Sequence, residues 1–228
     1  ARAGLGASES MRSKLAEYND PRLSRAFITK QGASGKEQAP GTADNAVYAP
    51  NGSPEQGTSK YGTSLFMYSI SAPTLLLSYH ELKFLEAEAL CRLGRDAKSA
   101  LKDAVVAGLL NAESSFSVSR KGLGKDLINP AASITEAEAE SYFDNTVEAK
   151  YTAEPLKTTM TQKYFALWGA SGEATESYND VRRMKGLGEN FIELKNPNSF
   201  PLRCPYGNSD TTTNAEVKAA YGNGQYVY

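Results

Sequence analysis

His80, the only histidine, is followed at once by Glu81 in a helix-forming stretch, and that pair is the first place to look for chemistry. His-Glu opens the HExxH motif, in which a second His one turn later completes a zinc site. Here Lys83 and Phe84 follow and no second His exists. A lone helical His is then expected at the surface or as a cap. Glu81, Glu86, Glu88, Glu136, Glu138 and Glu140 offer carboxylate pairs, and glycoside hydrolysis needs two carboxyls about 5–9.5 Å apart. Every charged helix supplies such pairs, and acids in first turns also answer the helix dipole. Lys121-Gly122-Leu123-Gly124-Lys125 lacks the Gly-xxxx-Gly-Lys-Ser/Thr spacing that cradles phosphate and reads as a basic turn. Arg182-Arg183 can clamp a carboxylate or phosphate. The plainer expectation is an ion pair within the chain. Cys91 and Cys204 lie far apart with no CxxC pattern, which argues against zinc or redox work. No catalytic residue, metal ligand or cofactor is expected.

The chain of 228 residues is long enough for one sizeable core. A net charge of -1 gives no global field for nucleic acid or an anionic membrane, so no nucleic-acid partner is expected. No run of about 18 apolar residues suggests a membrane span, and no signal peptide is visible. The 13 tyrosines supply flat apolar faces with a hydroxyl, a chemistry suited to sugars or peptides.

The elements that must position these residues are mostly helices. Met11, Leu15 and Tyr18 form one stripe of a short helix over 8–18, stopped before Pro21. Leu23, Ala26, Phe27 and Ile28 form an apolar patch, a helical turn or a strand. Residues 32–63 are polar and Gly-rich, a long loop of the kind that is usually functional or disordered. Leu65–Ile70 reads as a short extended or packing segment. Leu75, Tyr79, Leu82, Leu85, Ala89 and Leu93 follow helical spacing down to Gly94, a helix stop. The spacing predicts helices near 74–93, 96–107, 135–146, 155–168 and 172–185. Thr135 with Glu138 forms a capping box, and 117–130 reads as a linker. Small Ala97, Ala100 and Ala104 let residues 73–107 close as an antiparallel pair of tetratricopeptide size. Trp168 is expected to be mostly buried. The fold class is mostly α: tetratricopeptide-like helix pairs with long irregular loops.

Five blocks, in order, resemble the SusD/RagB family. They are Asp20-Pro21-Arg22-Leu23, then Tyr79-His80-Glu81-Leu82 with Glu86-Ala87-Glu88-Ala89, then Thr161-Gln162-Lys163-Tyr164-Phe165-Ala166-Leu167. Glu176-Ser177-Tyr178-Asn179-Asp180-Val181-Arg182-Arg183 is similar to the family's Glu-Ala-Trp…Arg-Arg block, with Ser and Tyr for Ala and Trp. Pro201-Leu202-Arg203 with Tyr206, Asp210 and Asn214 resembles its closing signature, where Gly207 replaces Pro and Asp210 replaces Glu.

The resemblance implies a helical binding protein, not an enzyme. It implies a lipoprotein at the outer membrane, facing the cell surface, with its lipid anchor upstream of this segment. It also implies a SusC-like TonB-dependent transporter as partner and an oligosaccharide or peptide as ligand. Full members are about twice this length, so residues 1–228 would be a single SusD-like domain from the later half, with the N-terminal half absent. The family motifs orient helices and carry no binding residue across. The ligand-binding candidates are therefore Tyr48 and Tyr61, exposed-looking aromatics of the long loop. A helical-repeat scaffold that binds only protein partners is the alternative.

Overall fold

The structure is a computed structural model that describes residues 7–30, 37–38, 47–52, 61–68, 74–123, 133–195 and 206–221. The chain divides into two compact units, Ala1–Leu194 and Lys195–Tyr228. The first begins with helix α1 (Glu9–Glu17), capped by Ser8, whose Oγ accepts the Met11 N–H. Met11, Leu15 and Tyr18 are buried along the expected stripe. Strand β1 (Phe27–Lys30) resolves the apolar patch in favour of a strand. It is the middle of a small antiparallel sheet, with β2 (Glu37–Gln38) on one side and β3 (Thr63–Ser64) on the other. Phe27 faces Ser64 and Thr29 faces Gln38. Leu65–Tyr68 is a 3-10 turn rather than an extended segment.

Helices build the rest. Helix α2 spans Tyr79–Arg92 and α3 spans Lys98–Lys121. Helix α4 (Glu136–Tyr142) passes through a π turn (Phe143–Val147) into α5 (Glu148–Ala153). Helix α6 (Pro155–Leu167) starts on a proline at its first turn, where the missing N–H is not needed. A 3-10 turn (Ser171–Thr175) leads into α7 (Glu176–Gly186). The fold is mostly α with tetratricopeptide-like pairing. Helices α2 and α3 follow one another across a short turn and pack together, and α6 packs against both. Phe84, Leu101, Phe116, Phe143 and Phe165 fill the space between them and are fully buried.

Several expectations are corrected. Pro73 lies outside the described residues, and 74–78 are not helical; Ser78 caps α2 by accepting the Glu81 N–H. Helix α3 does not end near 107 but runs to Lys121, because Leu109, Ala112 and Phe116 continue its buried stripe. Much of the supposed linker over 117–130 is outside the described residues, but 117–121 is helix. The Thr135 cap forms, yet Glu138 turns away to Arg25 instead of closing the box. The expectation for Trp168 holds: it is mostly covered, packed on Phe27 at 5.4 Å and edge-on to Phe66 at 5.0 Å.

The family-like blocks interlock. Arg22 donates through Nε and Nη2 to Asp20, at 2.8 and 2.6 Å, and through Nη1 to the Phe165 carbonyl at 2.7 Å. Gln162 donates to the Tyr142 hydroxyl at 3.0 Å. Lys163 reaches Asp180 at 2.8 Å. These residues are buried, so the turn after α1, α6 and α7 are joined by charge-assisted bonds out of water.

The second unit contains two short helices, α8 (Asn208–Thr213) and α9 (Ala215–Tyr221). Thr211, Thr212 and Thr213 turn their hydroxyls back onto carbonyls of the preceding turn. Asn214 caps α9 by accepting the Glu216 N–H at 3.0 Å.

Candidate functional site

The two loop tyrosines do not stand out into solvent as expected. Tyr61 is 4 % exposed and belongs to the core. Tyr48 is half-buried, its ring edge-to-face with Phe27 at 5.6 Å. The Arg12 guanidinium sits 5.1 Å over the Tyr48 ring. The cause is a clamp at the loop's base. The Ala7 N–H donates to the Gly62 carbonyl and the Ala49 N–H to the Ala7 carbonyl, both at 2.8 Å. Asn51 accepts from the Ser8 hydroxyl at 3.0 Å. These bonds draw the two described ends of the loop onto the start of α1, and both rings turn inward with them. Residues 39–46 and 53–60 of the loop lie outside the described residues.

A second feature is a groove between α2, α6 and α7, lined by Glu81, Leu85, Glu88, Lys163, Asp180 and Arg183. Its charges are paired with one another. Glu88 is 4 % exposed and takes hydrogen bonds from both Arg92 and Arg183. Burial pushes the Glu88 carboxyl up, but those two guanidinium bonds outweigh it and hold it below the usual carboxylate range. Arg183 also donates to Asp180 at 2.7 Å, and Arg92 holds Glu189 through two bonds. Arg183 therefore pairs within the chain, as expected of the Arg182-Arg183 motif. Arg182 lies over the Tyr178 ring at 5.6 Å and donates to its hydroxyl at 3.2 Å. Arg183→Ala is expected to cost about 1.5–3 kcal/mol, the range for a hydrogen bond to a charged group, and toward its lower end because Arg183 is partly exposed. Arg182→Ala should change stability by no more than about 0.5 kcal/mol. Urea denaturation of the two variants checks the contrast, and equal losses would contradict it.

His80 is buried, at 2 % exposed, and so is neither a surface residue nor a solvent-facing cap. Its Nε2 lies 3.5 Å from a Glu173 oxygen and 3.4 Å from the Ser78 hydroxyl. Both Glu173 side-chain oxygens are buried and have no hydrogen-bond partner among the described residues. Glu81 stands beside this pair. Burial lowers the affinity of His80 for a proton, and the nearby Glu173 charge only partly restores it. Burial, followed by the Glu173 charge, pushes the Glu81 carboxyl up. His80 binds its proton more weakly in the fold than its ordinary value of 6.5, so its contribution is complete above that pH and is lost on acidification below it. Glu81 has the opposite sense. Its contribution is complete below the ordinary value of 4.5 and is lost as pH rises through the raised folded value. His80→Asn should flatten the fall in melting temperature as pH drops below 6.5. Parallel pH profiles for the variant and the unaltered protein would count against the assignment.

Sequence reasoning did not find Glu173 or the buried role of Glu81 and Glu88. The available signal was the order Glu86-Ala87-Glu88, which places one acid outward and the next, beside a small Ala, inward. Among the described residues no group of three or more His, Cys, Asp or Glu side chains is arranged to hold a metal ion. Nor does any described helix have the length and apolarity to cross a membrane.

Fold and site together define a mostly helical scaffold, with buried charges that hold helices together and aromatic residues gathered at the base of a long loop. The chain belongs to the SusD-like family, described as starch-binding and associating with the outer membrane, which matches residues 1–206. A SusD/RagB family protein from Bacteroides thetaiotaomicron is 63% identical, with a TM-score of 0.87. The match covers 98% of this chain and 48% of that one. A SusD homolog from Bacteroides fragilis shares the fold at 18% identity and a TM-score of 0.61, covering 96% of this chain and 50% of that one. So does a protein from Bacteroides vulgatus described as outer-membrane and nutrient-binding, at 20% identity and a TM-score of 0.55, over 95% of this chain and 48% of that one. The chain thus spans about half the length of the solved relatives it matches. No curated protein matches it.

Proposed function

We propose that the protein serves nutrient capture at the outer membrane, binding glycans or peptides at the cell surface for delivery to a SusC-like TonB-dependent transporter. The observation that carries this reading is the family match over residues 1–206, supported by 63% identity to a SusD/RagB protein. A lipid anchor upstream of this segment would hold it there. No catalytic step is proposed, and the paired carboxylates are assigned to the scaffold. Glycan is favoured over peptide because the family is described as starch-binding.

Contact with ligand is assigned to the loop between Gln38 and Tyr68. Tyr48, half-buried and already under Arg12, supplies the stacking ring. Tyr61 seats the loop base from the core. Calorimetric titration against a panel of glycans and peptides tests this. Tyr48→Ala should weaken binding by about 1–3 kcal/mol, the cost of truncating an aromatic anchor. Tyr61→Ala should lower the melting temperature first. Unchanged affinity in the Tyr48 variant for every ligand that binds would remove the loop from the site. The rival reading, a scaffold for protein partners only, predicts no heat with any glycan or peptide.

A further inference from the structure

The turn between α6 and α7 is fastened inward by a charged side chain. Of residues 172–175 only Glu173 is buried, at 2% exposed, while Ala174 and Thr175 face out. The turn's own hydrogen bonds are local. The Glu173 N–H donates to the Ala170 carbonyl at 3.2 Å, and the Thr175 hydroxyl to the Gly172 carbonyl at 3.1 Å. Against the turn lies the lead-in to α2, so close that a Cβ built on Gly172 would stand 2.5 Å from the Leu75 carbonyl oxygen. The Glu173 carboxyl is the side chain that reaches in at this contact, toward His80. Yet neither of its oxygens has a hydrogen-bond partner among the described residues. A buried carboxylate without a donor is among the costliest groups a fold can hold.

Two neighbours can supply the donor. The His80 Nε2 is 3.5 Å from one Glu173 oxygen, too long for a good hydrogen bond, and 3.4 Å from the Ser78 hydroxyl. The Glu81 carboxyl, 8% exposed, is within hydrogen-bond reach of Glu173. Two carboxylates cannot donate to each other, so that contact becomes a hydrogen bond only when a proton lies between them. The surrounding cations do not remove the need. Lys163 of α6 is 2.8 Å from Asp180, and Arg183 of α7 donates to Glu88 and Asp180. Arg22 donates to Asp20 and to the Phe165 carbonyl. Glu176 of α7 adds another negative charge beside Glu81. On the other flank of His80 stand Asp103 and Lys102 of α3, the latter paired with Asp144, and Glu136 and Glu140 of α4.

We propose that Glu81 and Glu173 share one proton, and that this proton latches the Ser171–Thr175 turn onto the start of α2. With the proton in place, Glu81 donates to Glu173 and the turn is closed. When Glu81 gives the proton up to solvent, two carboxylates face each other out of water, and the turn opens so that both reach it. Burial, then the Glu173 charge, favours the protonated form of Glu81 in the closed state. In the open state Glu81 ionises at its ordinary value of 4.5, so between that pH and the raised folded value each opening releases a proton. The opening equilibrium therefore rises with pH by up to about tenfold per unit across this window and levels off above it. The turn leads directly into α7, which carries Asp180 and Arg183 of the groove against α2, so the latch makes the order of that groove wall depend on pH. The inference does not rest on nutrient capture and stands or falls separately from it.

Hydrogen–deuterium exchange over a range of pH, corrected for the intrinsic exchange rate, tests the latch. Amides of residues 170–176 should lose protection as pH rises above 4.5, by up to about tenfold per unit, while those of α3 do not follow. Glu81→Gln places a permanent amide donor opposite Glu173, and it should keep the turn protected with a flat pH profile. Titration of His80 has the opposite sense and cannot imitate this result. In case the variant does not fold, a carboxyl NMR titration of the unaltered protein reads the proton directly. Glu81 should titrate above 4.5, with the Glu173 signal moving in the same step. The proposal is overturned if Glu81 ionises at its ordinary value, or if the Gln variant keeps the pH slope. It is overturned equally if residues 170–176 lose protection only together with α3, since the protein would then be unfolding as a whole.

Discussion

Arg22→Met is expected to cost the fold about 3–5 kcal/mol, the range for removing one partner of a buried ion pair. The Asp20 side chain is fully buried and that of Arg22 is 2% exposed. Asp20 accepts from the Arg22 backbone N–H at 2.9 Å as well as from its side chain. Without the guanidinium, a buried negative charge faces only the Arg22 N–H and the neighbouring Tyr142. The Phe165 carbonyl loses its donor at the same stroke, and the guanidinium no longer lies 5.8 Å over the Phe165 ring. The loss therefore falls on the joint between the turn after α1 and helix α6. Asp20→Asn combined with Arg22→Met removes the stranded charge, and it should recover a large part of the loss. Guanidinium denaturation of the two single variants and the double variant measures this. A loss below about 1 kcal/mol for Arg22→Met would show that the pair is dispensable.

This joint was legible from sequence as a motif but not as a contact. Asp20 and Arg22 are two residues apart, and nothing local indicates that Phe165, 143 residues on, completes the set. The same holds for Glu88, whose partner Arg183 is 95 residues away. Helical periodicity places residues on one face of a helix, but it does not say which face is inside. For α2 the acidic face is the one inside, against distant arginine and lysine side chains, and the apolar stripe points outward. For α1 the stripe over Met11-Leu15-Tyr18 read correctly, and all three side chains are buried. Helix α3 was read as ending near 107 but runs on to Lys121. In the fold Gly108 sits where α3 meets Ala166, and a Cβ there would come within 3.0 Å of the Ala166 Cβ. The passage from α4 to α5 was cut at 146 because a π turn shifts the helical period there, and no residue pattern announces it. Tyr61 was read as exposed because its neighbours are polar. Its burial comes from the clamp between Gly62 and Ala7, a long-range backbone contact.

Gly169→Ala is the second large effect expected, roughly 2–5 kcal/mol from left-handed strain and overpacking together. Gly169 ends α6 with φ at +80°, a conformation that Ala adopts at a cost. The new methyl would also fall 2.5–2.6 Å from the Phe66 ring. That ring cannot simply swing aside, because Phe116 lies 4.8 Å away and Trp168 5.0 Å away, edge-on. Gly94 provides the control. Its φ is +67°, and a Cβ built there meets nothing within 4 Å. Gly94→Ala should therefore carry only the backbone term, about 1–2 kcal/mol. The difference between the two variants isolates the collision with Phe66. Phe66→Leu added to Gly169→Ala should relieve part of it, at the expense of the Trp168 contact, whose loss fluorescence of the single Trp would report. If the two Gly→Ala variants lose equal stability in urea, the methyl is accommodated and the aromatic cluster yields more easily than its packing implies. If Gly169→Ala alone loses several times more, the turn between α6 and the Ser171–Thr175 segment is held by Phe66. The cluster of Phe27, Phe66, Phe116 and Trp168 then fixes where α6 hands the chain on toward Glu173 and α7.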